Sequence, residues 1–560
     1  MLNYRYSNNR AVLKEIISKS RTAHFPLETQ YLIIYAFIYK YCSDSLKDHF
    51  LMVLQEREVT LDEAYERKLY EEEFKNDAYH MYGYYIEKSY CYFDEVINDR
   101  FESETFLKDF FEAFSENVSF PKSSGDEKYL NQIFDAVREE FPFELFAANS
   151  ENTQLLKDII RLISKLNVFD TDFSFSDVFY SVADSRLLKI KSNPEYIYQI
   201  LSAILASQKK NLENVYDPFM RDGTSLLSLS NLIGLWQSNN FGKEEDRVTY
   251  CYTIARLFLS YYSFNGLFIE NEDAMNSADI NQASFDGILS VIPIRIRNYH
   301  SSKKNQSLEI VKRHKRAQLE DVLSKNFDMD LTSFSKDAEL NKALEKLINK
   351  MDVEKESASQ FSGEYEILKE SEFLFLINLV NSLKNNGIMA ISISQNFLSK
   401  ESLKTIRKYL ALEKNYIDAI ISIPNEFGRY KKPEVVIVFR KDKPDDKILF
   451  IDMSREFDTK RGRLMVPGLF KRNLLLSDDT IGKMIDVLSN RINIEKYSKV
   501  VSCDEIISND FNLSVSMYVD TFEGQFINLR DLEYEKREID MKRKDLDYKI
   551  DVMMRELNIK

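Results

Sequence analysis

Val215-Tyr216-Asp217-Pro218-Phe219-Met220-Arg221-Asp222-Gly223-Thr224 runs from a short apolar segment, through an Asp-Pro step, to a glycine that opens a helical pattern. Residues 213–217 suit a buried strand and 223–235 an amphipathic helix. In doubly wound sheets ligands bind at the carboxyl edge of the strands, near the point where strand order reverses. A glycine in such a turn lets backbone approach a ligand closely. By itself the turn is equally an ordinary strand-to-helix connection.

The next strand ends change its weight. Phe241-Gly242-Lys243-Glu244 follows at the end of a short second strand. An acidic side chain there can bind a ribose hydroxyl pair, with Glu244 the first choice and Glu245 the alternate. Glu272-Asp273-Ala274-Met275 follows strand 266–270, where the Asp273 carboxylate can accept a hydrogen bond from the amine of an adenine ring. Phe285-Asp286-Gly287-Ile288-Leu289-Ser290-Val291-Ile292-Pro293-Ile294 comes next. Acidic or glycine signals at successive strand ends are hard to obtain by chance.

Working outward, further apolar runs at 387–393, 417–423, 434–440 and 448–452 suit buried strands. Helical stretches at 247–260, 371–384 and 401–412 separate many of them. The alternation predicts an α/β fold, a mostly parallel sheet covered on both faces. Two strands in quick succession near 430–452 suggest an antiparallel strand at the sheet edge. Residues 1–180 carry apolar positions at three- and four-residue spacing and read as a helical N-terminal domain ahead of an α/β domain over 185–525. The charged stretch 299–360 reads as an insertion between two strands. Residues 527–560 read as one polar helix, with Leu532, Ile539, Leu546 and Met553 repeating every seven residues and Lys536 and Arg543 in the companion seam.

Composition narrows the function classes. The chain of 560 residues is 44% apolar and 30% charged, as expected of two or three globular domains. Its four cysteines are far apart and its histidines number five, which argues against a metal site or a disulfide framework. The longest apolar stretch, Tyr31 to Tyr39, is too short for a bilayer, and the N-terminus has no apolar signal region, so a cytoplasmic protein is expected. A net charge of −14 disfavours DNA binding by the chain alone but not within a complex. One basic run, Lys303, Lys304, Lys312, Arg313, Lys315 and Arg316, is either a solvated helix face or a DNA contact.

The ordered stations resemble those of the modification (M) subunits of type I restriction-modification systems, adenine-N6 DNA methyltransferases. That family carries D-P-x-x-G-x-G, Y-G-x-E, a third acidic residue, and N-P-P-F or N-P-P-Y at these strand ends. Further on, Asn386-Gly387-Ile388-Met389-Ala390 resembles its G-R-M-A strand and Ile406-Arg407-Lys408-Tyr409-Leu410 its I-R-K-x-L block. Ile417 to Pro424, Ile448 to Asp452, Asn509 to Ser514 and Tyr518 to Asp520 are similar to later blocks.

The resemblance implies a Rossmann-like, seven-stranded S-adenosylmethionine-dependent methyltransferase fold. Asp217 and Gly223 would line the methionine end of the cofactor, Glu244 the ribose and Asp273 the adenine. It also implies a specificity (S) subunit as partner, held through the C-terminal helix, and DNA bound only in that complex. The departures fall at the chemistry. Arg221 replaces the first glycine of the cofactor loop and could crowd the methionine end. Lys191-Ser192-Asn193-Pro194 lacks the aromatic of the family's F-Y-T-P segment. Val291-Ile292-Pro293-Ile294 stands at the catalytic tetrapeptide, with neither its amide nor its stacking ring. Lost hydrogen bonds of that kind cost roughly 10²–10³ in rate. The expectation is an M-like structural or regulatory subunit impaired in catalysis; the alternatives are an active adenine-N6 methyltransferase working with an S subunit, and a methyltransferase for small molecules or proteins.

Overall fold

The computed structural model describes residues 8–520 apart from 23–24, 57–70, 88–92, 101–102, 122–124, 148–150, 184–186, 191, 235–237, 262–265, 275–283, 293–375, 377–378, 424–433, 444, 457–459 and 462–473, and, beyond 520, residues 536–537, 539–544, 546 and 549. The expected insertion at 299–360, its basic run, and Pro293 and Ile294 lie outside the described residues.

The main sheet is built from β1 (Asn214–Asp217), β2 (Asn239–Lys243), β3 (Leu267–Glu270), β4 (Phe285–Val291), β5 (Leu383–Ser394), β6 (Ile417–Ser422), β7 (Glu434–Arg440), β8 (Ile448–Asp452) and β9 (Ser498–Val501). Their spatial order is β3-β2-β1-β4-β5-β7-β6-β8-β9. All run parallel except β7 and β9. Strand order reverses between β1 and β4, so the carboxyl ends of β1, β2 and β4 meet where such sheets bind ligands.

Two expectations are corrected here. The sheet has nine strands, not seven, because β8 and β9 extend it beyond β6. The antiparallel strand near 430–452 is β7, and it lies inside the sheet between β5 and β6 rather than at its edge. The edge belongs to β9, antiparallel to β8, a short strand whose alternation the sequence did not advertise.

Side chains alternate across the sheet and feed two apolar layers. Tyr216, Ile288, Met389, Ile391, Ile420 and Ile437 pack on one face. Val215, Leu289, Ala390, Ile421, Val436 and Leu449 pack on the other, under the helices Glu195–Gln208 and Asp478–Asn490. Fully buried strands read as continuous apolar runs, which is why 285–291 and 434–440 were legible.

The N-terminal region is helical, with one two-residue ribbon pairing Tyr85–Ile86 to Val118–Ser119. Its centre is the helix Thr29–Glu56, buried on all sides from Thr29 to Leu46. A helix apolar all round belongs inside a core. Tyr35 on it donates to the Phe111 carbonyl at 2.5 Å, and Tyr39 stacks on Phe114 at 4.7 Å. No described helix is long and apolar enough to cross a membrane.

This helical region and the β3 edge share one apolar core, running from Val12 through the helix Arg247–Tyr261 to Ile269. Hydrogen bonds reinforce the join. β2 takes the carbonyls of Gly266 and Glu270, so Leu267 and Ile269 present their backbone outward. The Tyr129 hydroxyl, from the helix Gly125–Glu140, donates to the Leu267 carbonyl at 2.9 Å and accepts from the Ile269 amide at 3.1 Å. An open strand edge is a liability for self-association, and the helical region covers it.

On the far side, Arg407 is buried and staples two family-like blocks together. Its Nε donates to the Phe511 carbonyl at 2.7 Å, and a terminal nitrogen donates to Phe397 and Lys400 carbonyls at 3.0 and 2.8 Å. Burial pushes its pKa down to about 10.

Tyr129→Phe keeps the packing and removes the edge cap. The change should cost the β3 edge about 1–2 kcal/mol. Hydrogen exchange at the Ile269 amide should then quicken by roughly tenfold, with exchange in β5 and β6 unchanged.

Candidate functional site

Asp217 is the last residue of β1 and is fully buried. Its Oδ1 accepts from the Phe219 amide at 2.9 Å and the Ser290 hydroxyl, on β4, at 2.7 Å. Its Oδ2 makes no hydrogen bond, although the Ser225 hydroxyl lies close enough to steady the charge. Burial outweighs these donors and raises the carboxyl to about 6, with Asp222 adding repulsion.

Glu244 follows the last residue of β2 and is buried, whereas Glu245 is exposed. The fold therefore turns the first of the two candidates inward and leaves the second in solvent. Glu244 Oε1 accepts from the Asp246 amide at 2.9 Å. Burial raises its carboxyl to about 7, opposed first by the charge of Arg221. Asp273 lies half-buried three residues beyond β3. Its neighbour Glu272 is held by Lys243 at 2.8 Å, beside Glu270 at 2.9 Å.

The loop between β1 and its helix is bolted down from below. Gly223 caps the helix Thr224–Ile233 at φ +75°, and a Cβ there would stand 2.9 Å from the Thr253 methyl. Glycine is thus required by both the left-handed backbone and the packing of the helix Arg247–Tyr261. Arg221 also takes positive φ, at 51°, and the Thr253 hydroxyl donates to its carbonyl. The arginine has kept the backbone shape that a glycine would favour there. Asp222 is buried and ion-paired to Arg256 at 2.9 Å, and Arg256 lies over the Tyr180 ring at 4.4 Å. Glu195, Tyr198 and Arg256 are site neighbours that sequence reasoning missed; Arg256 stands 34 residues from Asp222, and no motif links them.

Val291 ends β4, and both it and Ile292 are buried. Val291 joins the apolar layer containing Tyr196, Ile197 and Leu289. Ile292 joins the opposite layer with Tyr216, Phe219 and Ala274. The Ile292 amide donates to the Ser392 carbonyl at 2.9 Å. Next along this edge, the Ser392 hydroxyl donates to Glu434 at 2.7 Å, a carboxylate whose pKa burial raises and which the sequence did not single out.

Residues 346–525 match the N-6 DNA methylase family. The chain is 38% identical over 148 residues to the type I restriction enzyme MjaVII methylase subunit of Methanocaldococcus jannaschii, an alignment covering 26% of this chain and 24% of that protein. It is 22% identical over 580 residues to the MpnII methylase subunit of Mycoplasma pneumoniae, covering 97% and 95%. Its fold matches the crystal structure of a type I restriction-modification methyltransferase subunit from Streptococcus thermophilus, with TM-score 0.65, 22% identity, and 92% and 99% of the two chains covered. Residues 346–525 thus carry the N-6 DNA methylase match, and the chain as a whole is similar to type I restriction-modification methylase subunits in sequence and in fold.

In this chain the candidate residues converge as the strand order requires. The ends of β1, β2 and β4 bring Asp217, Glu244 and Val291 to one edge of the sheet. The I-R-K block and the Asn509–Ser514 block lie elsewhere and act through Arg407 as scaffold.

The raised carboxyls have a measurable consequence. Asp217 near 6 and Glu244 near 7 stand above ordinary unfolded values near 4. Between these values the native state binds more protons than the unfolded state, so stability falls as pH rises from about 4 to 7. Glu244→Gln keeps an acceptor for the Asp246 amide and removes the charge. It should be more stable than the wild type by about 1–3 kcal/mol at pH 8, a gain that shrinks towards pH 4. Melting curves at the two pH values check this; equal curves at pH 8 would refute the buried-charge account.

Proposed function

We propose that this chain is an M-family member that serves as a structural or regulatory subunit of a type I restriction-modification complex, retains a pocket for S-adenosylmethionine, and does not methylate adenine. The carrying observation is the burial of Val291 and Ile292 in apolar layers at the tetrapeptide position. An amide there would accept a hydrogen bond from the target amine and orient its lone pair. Valine has no acceptor, and removing one such group costs roughly 10²–10³ in rate.

The cofactor reading rests on donors and acceptors still in place. Asp217 has an unbonded buried oxygen, a fit for a hydrogen-bond donor such as the methionine ammonium. Glu244 stands at the β2 end as the ribose acceptor, and Asp273 past β3 as the adenine acceptor. Gly223 keeps the loop backbone low beside the methionine end. When bound, the cofactor supplies an electrophilic methyl group. These residues bind and orient it; Val291, Ile292, Pro293 and Ile294 leave the acceptor side without polar guidance.

The test is transfer of labelled methyl from S-adenosylmethionine to DNA, by the chain alone and with an S-like partner. No incorporation above background is expected. Incorporation that disappears in Asp217→Asn or Pro293→Ala would instead establish an active adenine-N6 methyltransferase.

Assembly runs through the C-terminal segment. Its described residues, between 536 and 549, are helical, and the seam residues Ile539 and Leu546 are 64% and 58% exposed; Leu532 and Met553 lie outside the described residues. A polar helix has little reason to persist without burying its apolar face. Lys536 and Arg543 interrupt the companion seam, which disfavours self-pairing and suits a different chain, an S-like subunit. With a net charge of −14, DNA contact belongs to that complex. Deleting 527–560 should leave the melting temperature nearly unchanged and abolish co-purification with the S-like partner. A much lower melting temperature would place the helix in the chain's own core.

A further inference from the structure

We infer that Arg221, rather than obstructing the cofactor pocket, is its specificity residue: its guanidinium binds the carboxylate of the ligand's α-amino-acid end, while Asp217 takes the ammonium. The inference rests on the cofactor reading proposed above.

Three observations carry it. The first is placement. The Met220 amide donates to the Lys243 carbonyl at 3.1 Å, the Gly223 amide donates to the Met220 carbonyl at 2.8 Å, and the Thr253 hydroxyl donates to the Arg221 carbonyl. The loop is thereby held against the end of β2, with residue 221 in a left-handed turn at φ 51°. From there its charge acts on Glu244, at the β2 end, and on Tyr198, in the helix Glu195–Gln208. The loop thus sets residue 221 between the end of β1, which carries Asp217, and the end of β2, which precedes Glu244.

The second is that its hydrogen-bonding capacity is open, although its charge acts on Glu244. Among the described residues the Arg221 guanidinium makes no hydrogen bond and no ion pair, although the residue is half-buried. The nearest acid in sequence, Asp222, is already committed to Arg256 at 2.9 Å. Arginine presents a planar fork that matches a carboxylate in bidentate fashion. A half-buried fork without a hydrogen-bonding partner in the apoprotein is ready to take one.

The third is complementarity. Asp217 Oδ2 is a buried acceptor with no hydrogen bond, and Arg221 is a donor with none. Together they match the two charges of an α-amino acid, ammonium and carboxylate. A ligand with the same nucleoside but no amino-acid end satisfies neither.

Isothermal titration of the full chain with two probes tests this. S-adenosylhomocysteine carries the amino-acid end; 5′-methylthioadenosine has the nucleoside without it. The wild type should prefer S-adenosylhomocysteine by about 10–100-fold, the range for a charge-assisted hydrogen bond. Arg221→Gln should lose that preference while binding methylthioadenosine as before, which also reports that the pocket is folded. Arg221→Lys should keep part of the preference. If Arg221→Gln binds S-adenosylhomocysteine as tightly as the wild type or more tightly, Arg221 is not a ligand group and the inference is overturned. If wild type and variants bind methylthioadenosine alone and without discrimination, the amino-acid subsite falls while the nucleoside pocket stands. If neither probe binds any of the three proteins, the cofactor reading falls and takes this inference with it.

Discussion

The buried ion pair between Asp222 and Arg256 ties the loop after β1 to the helix Arg247–Tyr261, and much else depends on that tie. The same Arg256 nitrogen that meets the carboxylate also donates to the Asp222 carbonyl and the Thr224 hydroxyl, each at 2.8 Å. Removing one partner from such a pair leaves a buried charge uncompensated, at a cost of about 3–5 kcal/mol. The helix that carries Arg256 also belongs to the core of the N-terminal helical region. Pocket loop, helix and helical region are therefore one mechanical unit. Gly223 and Arg221 hold their left-handed conformations because this unit leaves the loop no room to relax.

The carboxyl edge of the sheet holds two opposed chemistries side by side. At β1 and β2 it buries carboxylates, Asp217 and Glu244, at the expense of raised pKa values. Burying a charge-bearing group is unfavourable unless something binds it, so retaining two such groups is informative about a ligand. At β4, one strand further on, the positions that would receive the target amine have become Val291 and Ile292, each packed into an apolar layer. One part of the edge keeps buried carboxylates and the other has merged with the apolar core.

Much of the site was legible before any fold was known. Asp217 and Val291 each end a strand, Glu244 follows the last residue of β2, and strands buried on both faces, such as that ending at Val291, write apolar runs plainly. The choice between Glu244 and Glu245 was not legible, since it depends on which one the β2 end turns inward. Nor was the role of Arg256, because nothing local distinguishes an arginine that will be buried beneath a loop from one on a helix surface. The conversion of the antiparallel strand from edge to interior had the same origin: β7 reads alike in both places, and only the pairing of β8 with β6 decides.

Sequence alone determined the fold class, the apolar strands and the lack of polar side chains at Val291 and Ile292, because residue type and alternation are local properties. Tertiary structure decided the width of the sheet, the cap that Tyr129 places on Ile269 from 140 residues away, and the partnership of Asp222 with Arg256. It also decided that Arg221 keeps a glycine's backbone while its charge acts on Glu244. Those outcomes turn on which surfaces meet when the helical region closes over the β3 edge, and contacts between segments so distant in the chain leave no local pattern to read.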